Sequence, residues 1–447
     1  MPRRQLGIAA VVLAGAVLGQ SLAAPADAPI ISISGSAAAV APAAYITALG
    51  DAVSVYQTGE LTALIRDAAL GAASDVGAAA VTGRGFSAGM TAVHRGAAEI
   101  QQSSGSGWAF PMSITALPLE ALGGIMGRTV AGPISQGAVV MGQTSAGLRG
   151  AVAGDTIDLM TAGGGMVTFT IGMVAPDSEI GGTEILISTQ QADLLGATLD
   201  TRVLIYGQFD RSALQNALAQ RGLSGNSKVR VRQSWDASDP DSTMSMSRTK
   251  SLLGEFQMNY ANLSDLGWTA VDATWRNEYL PAARESYPAG IRAMCNKAVR
   301  ADLVDALQEV VDSGLGGGID AANSNSYGGC SSGQARLARI TQSLGSVSRH
   351  SWGQPIDINT TSNCQGCVPR MDCRIVRIFR KHNFAWGGNF LTPDGMHFEW
   401  VGEARNTQQY PSKYCPNLPN GQVQSANSPP PLTSRGALFA DDGLTQE

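Results

Sequence analysis

Charge is scarce in this chain. Only 15% of its 447 residues are Asp, Glu, Lys or Arg, and the formal net charge is −5. A nucleic-acid binder draws its affinity from a basic face, so that class of partner is excluded. Long apolar runs are missing too. None reaches about 18 residues, the length a spanning helix needs, which excludes a polytopic membrane protein. Cysteine does not occur before Cys295. Aromatic residues are few, at 6%, yet apolar residues make up 44% of the chain and persist to about residue 400. That composition argues against wholesale disorder. At roughly 100–200 residues per domain, the length suggests two domains or more, each able to bury a core.

The first 28 residues read as a targeting segment. Arg3 and Arg4 precede the apolar stretch Leu6 to Gly19, and Ser21 and Ala23 supply small residues at the −3 and −1 positions of a cleavage site after Ala23. A retained membrane anchor is the alternative; in either case the bulk of the chain is expected outside the cytoplasm, secreted or in the cell envelope. The six cysteines, Cys295, Cys330, Cys364, Cys367, Cys373 and Cys415, fit disulfides in such a compartment. Six cysteines allow 15 pairings, and spacing does not choose among them. Half a zinc ribbon is the competing reading for Cys364-x-x-Cys367, but no second C-x-x-C completes it.

Residues 29–221 are rich in Ala, Gly, Val and Thr. Val167 to Ile171 alternates faces, Glu184 to Ser188 and Val203 to Tyr206 read as buried strands, and Ser212 to Gln220 as a helix capped by Ser212. The single histidine there, His94, has no neighbours that suggest chemistry. The stretch 137–174 places a small-residue helix before Gly154-Asp155-Thr156, then a strand, a Gly turn and another strand. In this it resembles the extracytoplasmic core domain of MacB/FtsX-type permeases. The resemblance implies a non-catalytic α+β interaction domain with a surface for a protein partner. With no Walker A motif and no further spans, transport does not carry over. Residues 222–250 are polar and turn-rich and are expected to form a linker. From 251 to 412 the composition shifts: Trp268, Trp275, Trp352, Trp386 and Trp400 appear. Leu303 to Leu315 and Ile375 to Phe379 recur at helical spacing. Residues 413–447, with Pro429-Pro430-Pro431, are expected to be a disordered tail.

Two polar motifs carry the chemistry. One runs from Ser348 through His350 and Gly353 to Asp357. The other runs from Phe384-Ala385-Trp386-Gly387-Gly388 to Asp394, His397, Phe398 and Glu399. His350, Asp357 and His397 form the donor set of a catalytic zinc site, with a fourth position left for water. Alternation would turn Ile356 and Ile358 away from Asp357, and Phe398 and Trp400 away from His397 and Glu399. Asp394 stands three residues before His397, suited to move a proton to a leaving amine. His382, after Arg380-Lys381, reads as a cation at a helix C-terminus.

The pattern S-x-H-x-x-G-x-x-x-D, then F-x-W-G-G and D-x-x-H-F-E, resembles the VanY-type D-alanyl-D-alanine carboxypeptidase and L-alanyl-D-glutamate endopeptidase family. The resemblance covers about residues 255–412. It implies a small α+β zinc peptidase with an antiparallel sheet, Zn2+ held by His350, Asp357 and His397, and Asp394 as base. It also implies an arginine holding substrate carboxylate or oxyanion charge: Arg339, eleven residues before His350, with Arg336 as the fallback. Substrates would be peptidoglycan stem peptides. Pro355 and Asn389 depart from the family's usual Ala and Asp. Three activities stay open: carboxypeptidase, endopeptidase, or a silent wall-binding module. The fold expectation is α+β in two modules, with membrane contact only through the N-terminal segment.

Overall fold

The computed structural model describes residues 31–33, 50–236, 239–338, 345–405, 412–417 and 438–439. Residues 1–28, expected to be a targeting segment, and most of residues 413–447, expected to be a tail, lie outside the described residues.

The N-terminal region runs β1 (Asp51–Gln57), α1 (Ala63–Asp75), β2 (Ala79–Arg95), β3 (Trp108–Leu117), β4 (Val139–Gly142), β5 (Thr156–Met160), β6 (Met166–Ala175), β7 (Ile185–Ser188), β8 (Arg202–Gly207), α2 (Arg211–Gln220) and β9 (Val229–Gln233), with short helices between. The period-2 pattern of β6 is explicit: Val167, Phe169 and Ile171 are buried, while Met166, Thr168 and Thr170 are half-buried. β2, β5, β6, β4, β7 and β3 pair in that order, and β3 returns to β2, closing a six-stranded barrel. Closure removes the open edges that such apolar strands would expose. The first residues of β2 leave the barrel and pair with β8, which continues to β1 and β9, all antiparallel. Side chains of α1 and α2 cover this extension with their own apolar cluster. The helix–strand–turn–strand order expected near residue 150 is present, as Gln143–Arg149, β5 and β6, built into the barrel wall. The cap of α2 is Asp210, not Ser212: its carboxylate accepts from the Ala213 amide at 2.6 Å, and Ser212 lies inside the helix.

The C-terminal region holds α3 (Met246–Leu253), β10 (Met258–Asn259), α4 (Arg300–Asp312), β11 (Pro355–Asp357), α5 (Cys373–Lys381), β12 (Phe384–Trp386) and β13 (His397–Trp400). A separate apolar cluster runs from Met244 to Cys415. β11, β13 and β12 make a three-stranded antiparallel sheet, with β13 central. Disulfides join Cys295 to Cys330, Cys364 to Cys367 and Cys373 to Cys415. The Cys364–Cys367 bond removes the zinc-ribbon alternative. No helix among the described residues is long and apolar enough to cross a membrane.

Residues 222–250, expected as a linker, are built into the structure instead. β9 zips onto β1, and α3 is largely buried. Asp241 takes the Arg380 guanidinium at 2.8 Å, the Trp386 amide at 3.0 Å and the Asn389 amide group at 2.8 Å. Asp239 pairs with Arg232 at 2.9 Å. The stretch reads as loop because its polar residues are dense, but one of their partners lies 166 residues away, beyond the reach of local pattern.

The two regions meet across four buried charges. The Lys250 ammonium donates to both oxygens of Glu184 at 2.9 and 3.0 Å and lies 3.1 Å from Glu255. Arg149 bonds Glu255 and stands 3.7 Å from Glu184. Burial opposes ionisation of Glu255, but Lys250 and Arg149 hold its carboxyl below the usual range. β10 adds a further tie, pairing Met258 and Asn259 with Ala109 and Trp108 of β3. Removing one member of such a group leaves an uncompensated buried charge, a loss of about 3–5 kcal/mol. Lys250→Met should therefore lower stability by that amount in urea unfolding followed by tryptophan fluorescence. A loss under about 1 kcal/mol would show that the seam relaxes without it.

Candidate metal centre

The first motif folds as a capped turn. Ser348 accepts from the His350 amide at 3.3 Å and caps a single 3-10 turn, Arg349–Trp352. Gly353 ends it at φ 64°, where a Cβ would also meet the Asn296 nitrogen at 2.9 Å. Trp352 anchors the turn: its ring packs 4.4 Å from Phe256, and its indole donates to the Gly254 carbonyl at 3.1 Å. β11 follows directly and pairs in register with β13, Ile356 opposite Phe398 and Asp357 opposite His397.

Alternation divides these strands as expected. Ile356 and Phe398 are fully buried in the core, where Phe398 lies 4.3 Å from Phe379 and Phe379 lies 5.3 Å from Phe384. Such ring pairs contribute about 0.5–1.5 kcal/mol each beyond their area. Asp357 and His397 turn to the other face. There the His350 Nε2 stands 3.2 Å from the Asp357 carboxylate and 3.3 Å from His397 Nδ1, which is 3.2 Å from Asp357. A tetrahedral ion with bonds of about 2.0–2.1 Å needs donor atoms about 3.3 Å apart. One imidazole nitrogen from each histidine and one carboxylate fit that requirement, and among the described residues they form the one cluster able to hold a metal.

The outward nitrogens are also held. His350 Nδ1 lies 2.7 Å from the Cys330 carbonyl, so it donates there and leaves Nε2 facing the cluster. His397 Nε2 lies 3.4 Å from Glu399, whose other oxygen takes the Gln354 amide at 3.0 Å. Glu399 and the Cys330 carbonyl are orienting groups that motif reasoning left without a role. Glu399 had a signal, since residues two apart on a strand share a face. Cys330 had none, because a carbonyl twenty residues away has no local signature.

Asp394 lies on the turn entering β13 and is buried. Its amide donates to the Gly387 carbonyl at 2.8 Å, and its own carbonyl accepts from the His397 amide at 3.2 Å. A Cβ on Gly387 would stand 2.6 Å from the Asp394 oxygen and 3.0 Å from the His397 Cβ, which accounts for glycine in the W-G-G motif. Asp394 is not part of the three-donor cluster. Arg339 lies outside the described residues. The strand Ala335–Ala338 that precedes it runs beside the His350 turn, Ser348 donating to the Arg336 carbonyl at 2.9 Å. Arg336 places its guanidinium 5.3 Å over the Trp268 ring. His382 ends α5 and bonds Glu309 at 2.6 Å, and His94 pairs with Asp158 at 2.8 Å.

Both departures from the family pattern have local reasons. Pro355 starts an edge strand, where its missing N–H costs little. Asn389 donates to Asp241 and to the Tyr414 carbonyl and accepts the Tyr414 amide. An aspartate there would face the Asp241 carboxylate. A serine-hydrolase pattern, Gly85-Phe86-Ser87-Ala88-Gly89, does occur in the sequence, but it lies inside β2 and pairs with β3. A nucleophile elbow needs a strand-to-helix turn.

Residues 341–400 match the family model described as D-alanyl-D-alanine carboxypeptidase. The matched stretch contains His350, Asp357, Asp394 and His397 and supports a peptidase of that family. No curated protein matches the chain. The N-terminal region lies outside the match, and its likeness to MacB/FtsX permeases gains no support.

Burial works against a charged His397, yet its bonds to Asp357 and Glu399 prevail and push its pKa up to about 10. Burial likewise opposes a charged Asp357, and the two histidines hold it well below the carboxylate range. A metal must displace the His397 proton, so affinity should rise with pH up to about 10 and fall on acidification. Titration calorimetry in two buffers of different ionisation heat should show proton release on zinc binding at pH 7; pH-independent affinity would contradict the assignment. Glu399→Ala should weaken zinc binding by roughly 10- to 100-fold in competition with a chelator.

Proposed function

We propose that the protein is an exported zinc peptidase that trims peptidoglycan stem peptides, acting as a D-alanyl-D-alanine carboxypeptidase. The observation that carries the reading is the His350–Asp357–His397 triangle, with spacing suited to zinc, inside the stretch that matches the carboxypeptidase family. The disulfides accord with an oxidising compartment outside the cytoplasm.

His350, Asp357 and His397 would hold the ion. When bound, zinc supplies Lewis acidity toward a water and a carbonyl oxygen. Asp394 takes the proton from the attacking water and delivers it to the leaving amine, a role that needs a carboxylate beside the ion but not coordinated to it. Arg339 binds the substrate's terminal carboxylate or the developing oxyanion through its planar donor fork. Glu399 and the Cys330 carbonyl keep the two imidazoles aimed. The N-terminal barrel would serve as a non-catalytic support or interaction domain.

The test is the mass spectrum of muropeptides incubated with the zinc-loaded protein, beside a chelated control. Loss of one terminal alanine, sensitive to chelation, is expected. An internal L-Ala–D-Glu cut would assign the endopeptidase activity, and unchanged masses would favour a wall-binding module. Asp394→Asn should lower kcat by about 10²- to 10⁴-fold while zinc content stays at that of the parent protein. Undiminished turnover by that variant would remove Asp394 from its role.

A further inference from the structure

The loop 359–370 is tied along the backbone to the turn that carries Asp394. Gln365 and Asp394 form an isolated antiparallel bridge. Gly366 donates to the Pro393 carbonyl at 2.6 Å, and Met396 donates to the Asn363 carbonyl at 3.1 Å. These contacts bracket Asp394 on both sides. The loop is closed at its base by Asn363, whose side-chain oxygen accepts from the Arg370 amide at 2.7 Å and whose amide group donates to the Asn359 carbonyl at 3.3 Å. Its tip is closed by the Cys364–Cys367 disulfide. These two cysteines are half-buried, and their neighbours Gly366 and Val368 are exposed. Cys295 and Cys330, by contrast, are fully buried. None of residues 359–370 belongs to the metal cluster.

We infer that the Cys364–Cys367 disulfide is a positioning element for Asp394: it holds the four-residue tip in the one shape that pairs with Pro393 and Asp394, and turnover depends on the oxidised form. The reason is geometric. A carboxylate that moves a proton must stay within hydrogen-bond reach of the attacking water. The Asp394 turn has two kinds of backbone restraint, its bonds to Gly387 and His397 on one side and the disulfide-closed loop on the other. Opening the tip releases the second without touching a metal ligand. A dithiol reductant would transfer two electrons and two protons to the bond, giving two cysteine thiols and the cyclic disulfide of the reductant.

This inference rests on the reading of Asp394 as the proton carrier, and the experiment separates the two. The full chain carrying Cys364→Ser and Cys367→Ser is loaded with zinc and assayed on a stem pentapeptide ending in D-Ala–D-Ala, beside Asp394→Asn. The expected result for the double variant is a kcat lower by roughly 10- to 100-fold, with KM within about twofold and zinc content unchanged. In parallel, the parent protein is reduced with a mild dithiol, alkylated or reoxidised, and mapped by mass spectrometry. Labelling of Cys364 and Cys367 alone should accompany loss of turnover, and reoxidation should restore it. The double variant should be insensitive to the reductant. Unchanged kcat in the double variant, or in protein reduced at this pair, overturns the inference. So does loss of zinc together with activity, which would make the disulfide a staple for the metal site. Full activity in Asp394→Asn would instead overturn the reading beneath it, whatever the cysteine variants do.

Discussion

Asp357 and His397 stand opposite each other on two paired strands, and both are followed or preceded by residues that belong in the core. A slip of one residue would turn Asp357 and His397 into the apolar layer and Ile356 and Phe398 toward solvent. The packed rings of Phe379, Phe384 and Phe398 oppose that slip, since each would lose its buried neighbours. The donor triangle is therefore set by packing on the opposite face of the same sheet. His350 enters from a different element, a capped turn, and reaches the triangle because Trp352 pins that turn to the core.

The support extends well beyond the sheet. Arg349, beside His350, donates to Thr249 at 2.6 Å and to the Met244 carbonyl at 2.6 Å, and lies 3.9 Å from Glu399. Asp241 gathers Arg380, Trp386 and Asn389. The strap 239–250 thus underlies both motifs, and at its end Lys250 enters the charged seam with the barrel. Buried charges of this kind contribute little net stability against apolar replacements, but they tolerate few alternative arrangements. The barrel and the donor triangle are in this way held in one arrangement by contacts that each cost much to break singly.

Legibility followed the range of the interactions. The strands β6, β7 and β8 were visible because alternation is local, and α5 because its apolar residues recur every three to four positions. The donor set was visible because histidine is rare here and the spacing around His350, Asp357 and His397 is chemically demanding. Glu399 was present in the motif without a role, since its role depends on which nitrogen of His397 faces the cluster. The strap resembles a linker in sequence because Asp239 and Asp241 look like turn residues until Arg232 and Arg380 are beside them. The helix cap moved from Ser212 to Asp210 because two adequate capping residues stood two positions apart, and backbone geometry decided between them.

By itself the sequence determined the chemistry on offer: which residues could bind a metal, which carboxylates stood near them in the motifs, and which stretches would pleat or coil. Those properties belong to residue types and to short spacings. Only the tertiary structure decided that six strands would close into a barrel, that the six cysteines would pair as they do, and that a polar stretch would become a buried strap. It also decided that Cys330 and Glu399 would aim the two imidazoles. Each of these depends on groups distant in sequence meeting at hydrogen-bond range, and no local pattern records such a meeting.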